Sequence, residues 1–192
     1  MRVKRSVDFR MAPKKATKGK STAAKPTRDE GWEPSKCSRS DLESLVKHGF
    51  LASESVIQWH PAFGDARPYE NTGEIIGFVP YFERGFSLPG SDLFFGLLYY
   101  YGIQLHHLTP NSFVHMSVFI HLCEALLGIE PHFELYRHLF HLKPQPNSAS
   151  LDVVGGAGIQ LRQKMDRVYI PYKFSPKVID WKARWFYVES SP

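Results

Sequence analysis

Cysteine is almost absent. Cys37 and Cys123 are the only two in 192 residues. That count excludes a disulfide framework and a cysteine-built zinc site, and it points to a reducing compartment, nucleus or cytoplasm. No apolar run reaches the roughly 18 residues a membrane span needs. The longest candidate, 113–129, is interrupted by His115, Ser117, His121 and Glu124. Basic residues open the chain with no apolar stretch behind them, so no secretory signal is expected. Mean hydropathy of −0.30 fits a soluble protein.

Positive charge is missing from most of the chain, although the whole carries +5. Residues 1–36 hold eleven Lys/Arg and four Asp/Glu, a net +7. Residues 37–192 hold thirteen and fifteen, a net −2. A folded nucleic-acid binder shows a basic domain face, and composition supplies none here. The basicity belongs to the tail. Residues 1–36 are rich in Lys, Ala, Thr, Ser and Pro and poor in large apolar side chains. They cannot bury enough surface to offset chain entropy, so a disordered tail is expected, followed by one domain over 37–192. Lys14, Lys15, Lys18, Lys20 and Lys25 make this tail a candidate nuclear-import or nucleic-acid arm. The plainer alternative is a solvated tail with no specific partner.

Catalytic arrangements are also missing. Seven of the nine histidines lie between His106 and His141, among them the His106-His107 pair, His121-x-Cys123 and His138-x-x-His141. A structural zinc site needs four converging Cys/His ligands, and these read instead as surface and helix-packing histidines. A zinc knuckle is absent. Two-metal chemistry needs gathered carboxylates, whereas Asp65, Asp92, Asp152, Asp166 and Asp180 are scattered. No Asp-Thr/Ser-Gly triplet or Tyr-x-Asp-Asp motif occurs. Gly155-Gly-Ala-Gly158 lacks the third glycine of a dinucleotide loop and the lysine of a phosphate loop, so it reads as a tight turn needing positive φ or close packing. Cys123 has no activating neighbour on its helix face. No catalytic, cofactor or metal residue is assigned, and no enzyme activity is expected.

What the chain does have is aromatic residues, 14% of the whole, concentrated between Phe78 and Leu142 and punctuated by Gly and Pro. Ser40-Asp-Leu-Glu43 resembles a capping box, so compact structure is expected to open there with a helix ending at Gly49. Strands are expected over 55–59 and 74–79, the second stopped by Pro80. Three helices follow. One runs 92–101, capped by Ser91 and ended by Gly102. A long, mostly buried one runs from Thr109 and Pro110 to Leu127, with Ser117, His121 and Glu124 on a polar stripe and His115 toward the apolar side. The third runs from after Pro131 to about Leu142, with Tyr136 and Phe140 on its apolar face. Extended pieces over 167–172 and 184–188 finish a fold of the α+β class, mainly helical, with short peripheral strands. The strings Tyr99-Tyr100-Tyr101 and Trp185-Phe186-Tyr187 could stack bases, but core packing is the expected use of both. The cluster Trp181, Lys182, Arg184 and Trp185 is the first place to seek a folded nucleic-acid surface.

Five blocks carry a resemblance. They are GFSLP (85–89), YGIQLHHLTPNS (101–112), LCEALLGIEPHFELYRHLF (122–140), VGGAGIQLR (154–162) and WFYV (185–188). In this order they resemble the gypsy-type transposon, or transposase, domain that plant genomes repeat in large numbers. The resemblance covers about 40–188. It implies an element-encoded, Gag-like or accessory structural domain. The expected partners are proteins, either copies of itself or other element-encoded proteins; the charge of the tail adds weak non-specific nucleic-acid contact, and the lack of a long apolar run leaves no membrane contact expected. The family has no established catalytic residues to carry over.

Overall fold

The computed structural model describes residues 31–69, 73–145, 151, 153–165, 168–172 and 178–189. The five tail lysines lie outside these residues. The packed structure begins earlier than Ser40. Trp32 stacks on Phe78 at 5.9 Å and meets the edge of Trp185 at 5.6 Å. Ser35 and Cys37 are buried. The Ser35 hydroxyl donates to the Trp185 carbonyl at 2.6 Å, and the Trp185 indole donates to the Glu33 carbonyl at 2.8 Å. Residues 32–35, on the tail side of the expected boundary, therefore belong to the folded body.

Helix α1 spans Arg39–Lys47. Its cap is Ser38, not Ser40. The Asp41 amide donates to the Ser38 hydroxyl, and the Ser38 amide donates to the Asp41 carboxylate at 2.8 Å. Both sequence windows fit the capping pattern, but Glu43, which the later one needs, pairs with Arg39 at 3.3 Å instead. Gly49 closes the helix with φ +74° as expected.

A three-stranded antiparallel sheet forms the centre. Strands β1 (Trp59–Pro61) and β2 (Glu74–Phe78) flank β5 (Trp185–Glu189). In register, Trp59 faces Val188, and Phe78 faces Trp185. The first strand thus starts four residues later than Ser55, because residues 53–57 close a turn in which the Val56 and Ile57 amides both donate to the Ser53 carbonyl. Strand β2 falls where expected, but Pro80 does not simply end it. Pro is tolerated in a first helical turn, and Val79–Phe82 forms the short, fully buried α2. Trp185, Phe186, Tyr187 and Val188 are all buried. The strands are therefore not peripheral, and the fold is a mixed α+β domain in which this sheet shares the core with the helices.

Helix α3 (Asp92–Tyr101) matches its expectation at both ends. Ser91 accepts from the Phe94 amide, and Gly102 is left-handed. After a 3-10 turn (Leu105–His107), helix α4 (Pro110–His121) begins at the expected proline. From Leu122 to Leu127 the helix widens into π geometry, ending at left-handed Gly128. The widened segment keeps only Cys123 buried, so the long buried helix is cut short at His121. Helix α5 (Phe133–Leu139) is shorter than its periodicity suggests. Phe140 turns extended and opens β3 (Phe140–Pro144), which pairs antiparallel with β4 (Ala157–Leu161). Tertiary strand pairing overrides local helical propensity there. A second 3-10 turn, Trp181–Ala183, leads into β5. The described part of 167–172 forms no strand.

Candidate functional site

Two regions stand out as candidate sites, and both are built from or beside the blocks singled out in the sequence. The first is a groove of about 330 Å³ between the loop 85–91 and α4. The loop is held to α4 by one hydroxyl. Ser117 Oγ lies 3.1 Å from the Gly85 carbonyl and 2.8 Å from that of Phe113. Gly85 has φ +93°, and a Cβ there would sit 2.2 Å from Ser117 Oγ. Only glycine allows this approach. The floor is apolar, made by Phe94, Phe113, Met116 and Ile120, while Ser117, His121 and Glu124 line the polar side. Phe86 plugs one side, 5.3 Å from both Phe94 and Phe113. This arrangement can seat an apolar side chain next to polar groups. The polar stripe read from the sequence is thus the rim of a groove.

The second region is the outer face of α3, which is exposed. Tyr99 is 83% exposed and Tyr100 50%. The expectation that Tyr99-Tyr100-Tyr101 packs in the core fails for these two. The helix has apolar residues on every side, so periodicity gave no sign of which side faces solvent. The string Trp185-Phe186-Tyr187 does pack in the core.

The two thiols and the histidines His106, His107 and His115 are taken up by packing. Burial, with Asp41 adding to it, pushes the Cys37 thiol up to about 12. Burial also raises the Cys123 thiol, with a smaller push from Glu124. Both thiols are free. Burial lowers His106 to about 4, with His107 adding to the effect, and its ring lies 5.0 Å from Trp32. Burial lowers His115 to about 4, and its Nδ1 is hydrogen-bonded to the Tyr172 hydroxyl. The Gln104 amide donates to His107 Nδ1 at 3.1 Å. The Tyr81 hydroxyl donates to the Leu108 carbonyl at 2.6 Å. The Ile159 amide donates to Ser112 Oγ, and the Thr109 amide to the Ala157 carbonyl. The block 101–112 is therefore a seam that fastens α4 to β4.

Gly155 belongs to the same seam. It has φ +69°, and a Cβ would lie 2.5 Å from the Trp181 ring. The tight turn expected there is present, with β4 running on through Gly158. Trp181 and Trp185 do not form an open platform. Trp181 packs 5.2 Å from Phe78 and 5.6 Å from Tyr81, Trp185 is fully buried, and Arg184 pairs with Glu83 at 3.3 Å. Among the acidic residues, Asp65 accepts from the Tyr187 hydroxyl at 3.3 Å and Asp92 sits in the first turn of α3. Asp152 and Asp166 lie outside the described residues. Among the described residues, no three His, Cys, Asp or Glu side chains gather as a metal site would require. No helix among them is long and apolar enough to cross a membrane.

A mixed α+β domain with a sheet-centred aromatic core is the class these features define. Residues 75–144 match the family described as "Putative gypsy type transposon". Over these residues, which hold the blocks 85–89, 101–112 and 122–140, the chain is similar to that family. Comparisons with curated proteins and with solved structures give no match. The matched segment does not close its own sheets. Strand β2 needs β5, and β3 needs β4, and both partners lie beyond residue 144. The physical unit therefore extends past the match to β5.

Proposed function

We propose that this is a non-catalytic, Gag-like or accessory structural domain of a retrotransposon, working through contacts with other proteins. The observation that carries the reading is the exposed apolar edge. Phe95, Tyr99 and Tyr100 stand substantially in solvent on the outer side of α3. Single exposed apolar residues are ordinary, but large side chains concentrated on one face mark interaction surfaces. The use of the buried histidines and thiols in packing supports the same reading. Measuring divalent-metal-dependent cleavage of DNA tests it directly. Cleavage that survives purification and is abolished by one side-chain substitution would overturn the non-catalytic reading.

A second reading rests on charge. Residues 1–36 carry +7 against −2 for the remainder. A basic arm can neutralise phosphates without reading bases, and such binding weakens steeply with salt. Replacing Lys14, Lys15, Lys18, Lys20 and Lys25 together by Ala in the full chain should remove low-salt binding to any DNA or RNA. Binding by that variant to one sequence at moderate salt would place recognition on the folded body instead.

A further inference from the structure

The groove between the loop 85–91 and α4 has a volume of about 330 Å³, at the small end of the range that ligand sites occupy. That is room for one or two side chains of an extended segment, not for a folded partner. Its floor is apolar. Glu124, exposed on the π segment, is the only Asp, Glu, Lys or Arg that lines it. Widened turns of this kind recur at functional sites. The groove therefore calls for an apolar side chain with a cation next to it.

We infer that residues 7–11 of this same chain are the occupant, with Phe9 seated on the apolar floor and Arg10 beside Glu124. The segment reads Val-Asp-Phe-Arg-Met and lies outside the described residues. Composition is the first argument. The large apolar residues of 1–30 are Met1, Val3, Val7, Phe9 and Met11, and Phe9 is the only aromatic among them. From residue 12 to residue 30 no side chain can fill an apolar floor. Charge is the second argument. Residues 1–15 hold six Lys/Arg and one acid, Asp8, against the net −2 of 37–192. Reach is the third. The described chain begins at Gly31, next to Trp32. The Trp32 ring lies 5.9 Å from Phe78, Phe78 lies 4.8 Å from Tyr81, and Tyr81 lies 4.3 Å from Phe113 on the groove floor. About 20 residues, the length from Met11 to Gly31, average roughly 25 Å end to end as a flexible chain and extend to about 65 Å. The way around the surface is therefore within reach. A tether of this length supplies an effective concentration in the mM range, enough for a contact too weak to form between separate molecules. The contact closes the groove to other proteins until the tail is drawn away. This goes beyond the interaction-domain reading above and does not depend on the exposed face of α3.

A nitroxide attached to the full chain at Ala12→Cys tests the proposal. Cys37 and Cys123 are buried, so the label goes to the new thiol. Nuclear magnetic resonance then reads which methyl groups the label broadens. The expected result is stronger broadening at Met116 and Ile120, on the groove, than at Val56, which is 77% exposed. Random contact with the surface would give the reverse order. Phe9→Ser alters no described residue and should lower the docking equilibrium by on the order of tenfold or more, as removal of a buried aromatic does. Glu124→Gln should lower it by up to about fivefold at low salt and not at high salt. Broadening no stronger in the groove than at Val56 overturns the proposal. Groove broadening that persists in Phe9→Ser also overturns it. A mixture of spin-labelled chains with isotope-labelled, spin-free chains should show no groove broadening. Broadening there would place the tail on a second copy and overturn docking within one chain. None of these outcomes touches the interaction-domain reading, which DNA cleavage alone would sink.

Discussion

The seam around residues 101–112 and the outer face of α3 are built from the same kinds of residue, yet one is closed and the other open. The seam contains Tyr81, His106, His107, His115 and Ser112. Its side chains meet backbone or side-chain partners, and its aromatic rings pack on other rings. The face of α3 contains Phe95, Tyr99 and Tyr100, whose rings stand in water over much of their surface. Aromatic content therefore does not decide burial. What decides it is whether a second element reaches over to supply partners. Strand β4 does this for the seam, through the Ile159 amide on Ser112 and the Ala157 carbonyl that takes the Thr109 amide. On the outer face of α3 the Gly90 loop meets only Phe95, and Phe133 and Arg137 of α5 meet only Tyr100, so Tyr99 stays 83% exposed.

The largest break in this comparison comes from placing the same charge in each region. Phe113 is 1% exposed and touches Tyr81, Phe86 and Phe94. Phe113→Asp should unfold the domain, because an unpaired buried charge costs several kcal/mol, on the order of the whole stability. Tyr99→Asp should shift stability by no more than about 0.5 kcal/mol, as surface substitutions do. Thermal melting at low protein concentration separates the two. Leu122 is only half-buried, at the start of the π segment, so Leu122→Asp should fall between them.

Acid should open the seam before it disturbs the face of α3. His106 and His115 are both held neutral, with their values lowered from 6.5 to about 4 by burial. The unfolded chain binds these protons more readily than the folded one. Their neutrality therefore costs no stability above about pH 6.5, and stability is lost progressively as pH falls from there toward 4. Each site accounts for on the order of a few kcal/mol across that window. Denaturant melts between pH 7 and 4 should show the loss, and His115→Gln should flatten part of it. A stability that stays level to pH 4.5 in the unaltered chain would show that these rings are solvated.

Much of the fold was legible in the sequence where chain chemistry is local. Ser91 and Gly102 bounded α3, Pro110 opened α4, and Gly49 and Gly128 closed their helices. The strands β2 and β5 also lie close to their expected places. What escaped was decided by partners far along the chain. Phe140 continues a helical pattern but is taken by β4. Trp32 looked like tail and is held by Phe78 and Trp185, the latter near the other end of the chain. The groove was half visible as the stripe of Ser117, His121 and Glu124, but its other wall needed Gly85 to approach Ser117. The exposure of Tyr99 and Tyr100 could not be read, because a helix apolar on all sides has no periodic signal to give.

Hydroxyl removal sharpens the comparison within the core itself. Tyr81 and Tyr136 are both fully packed. The Tyr81 hydroxyl serves the Leu108 carbonyl at 2.6 Å, whereas the buried Tyr136 hydroxyl has no hydrogen-bond partner among the described residues. Tyr81→Phe strands a buried carbonyl and should cost about 1–3 kcal/mol. Tyr136→Phe removes an unsatisfied group and should be neutral or mildly stabilising. Equilibrium denaturation of both variants checks the sign. Equal losses would mean that the Tyr136 hydroxyl is satisfied in solution.

The smallest effect concerns Gly96, and it tests whether the open face is open for a reason. A glycine inside a helix costs roughly 0.5–1 kcal/mol relative to alanine, because the unfolded chain has more freedom to lose. At Gly96 the backbone is helical, and nothing within 4 Å would meet the new methyl. Gly96→Ala should therefore raise the stability of the isolated chain by up to about 1 kcal/mol. At Gly85, with φ +93° and Ser117 Oγ 2.2 Å from where the methyl would sit, the same substitution should destabilise instead. The two glycines thus predict opposite signs from one chemical change. If Gly96→Ala destabilises the chain, the space beside Gly96 is already filled from within it, and the contrast between closed seam and open face fails at its centre.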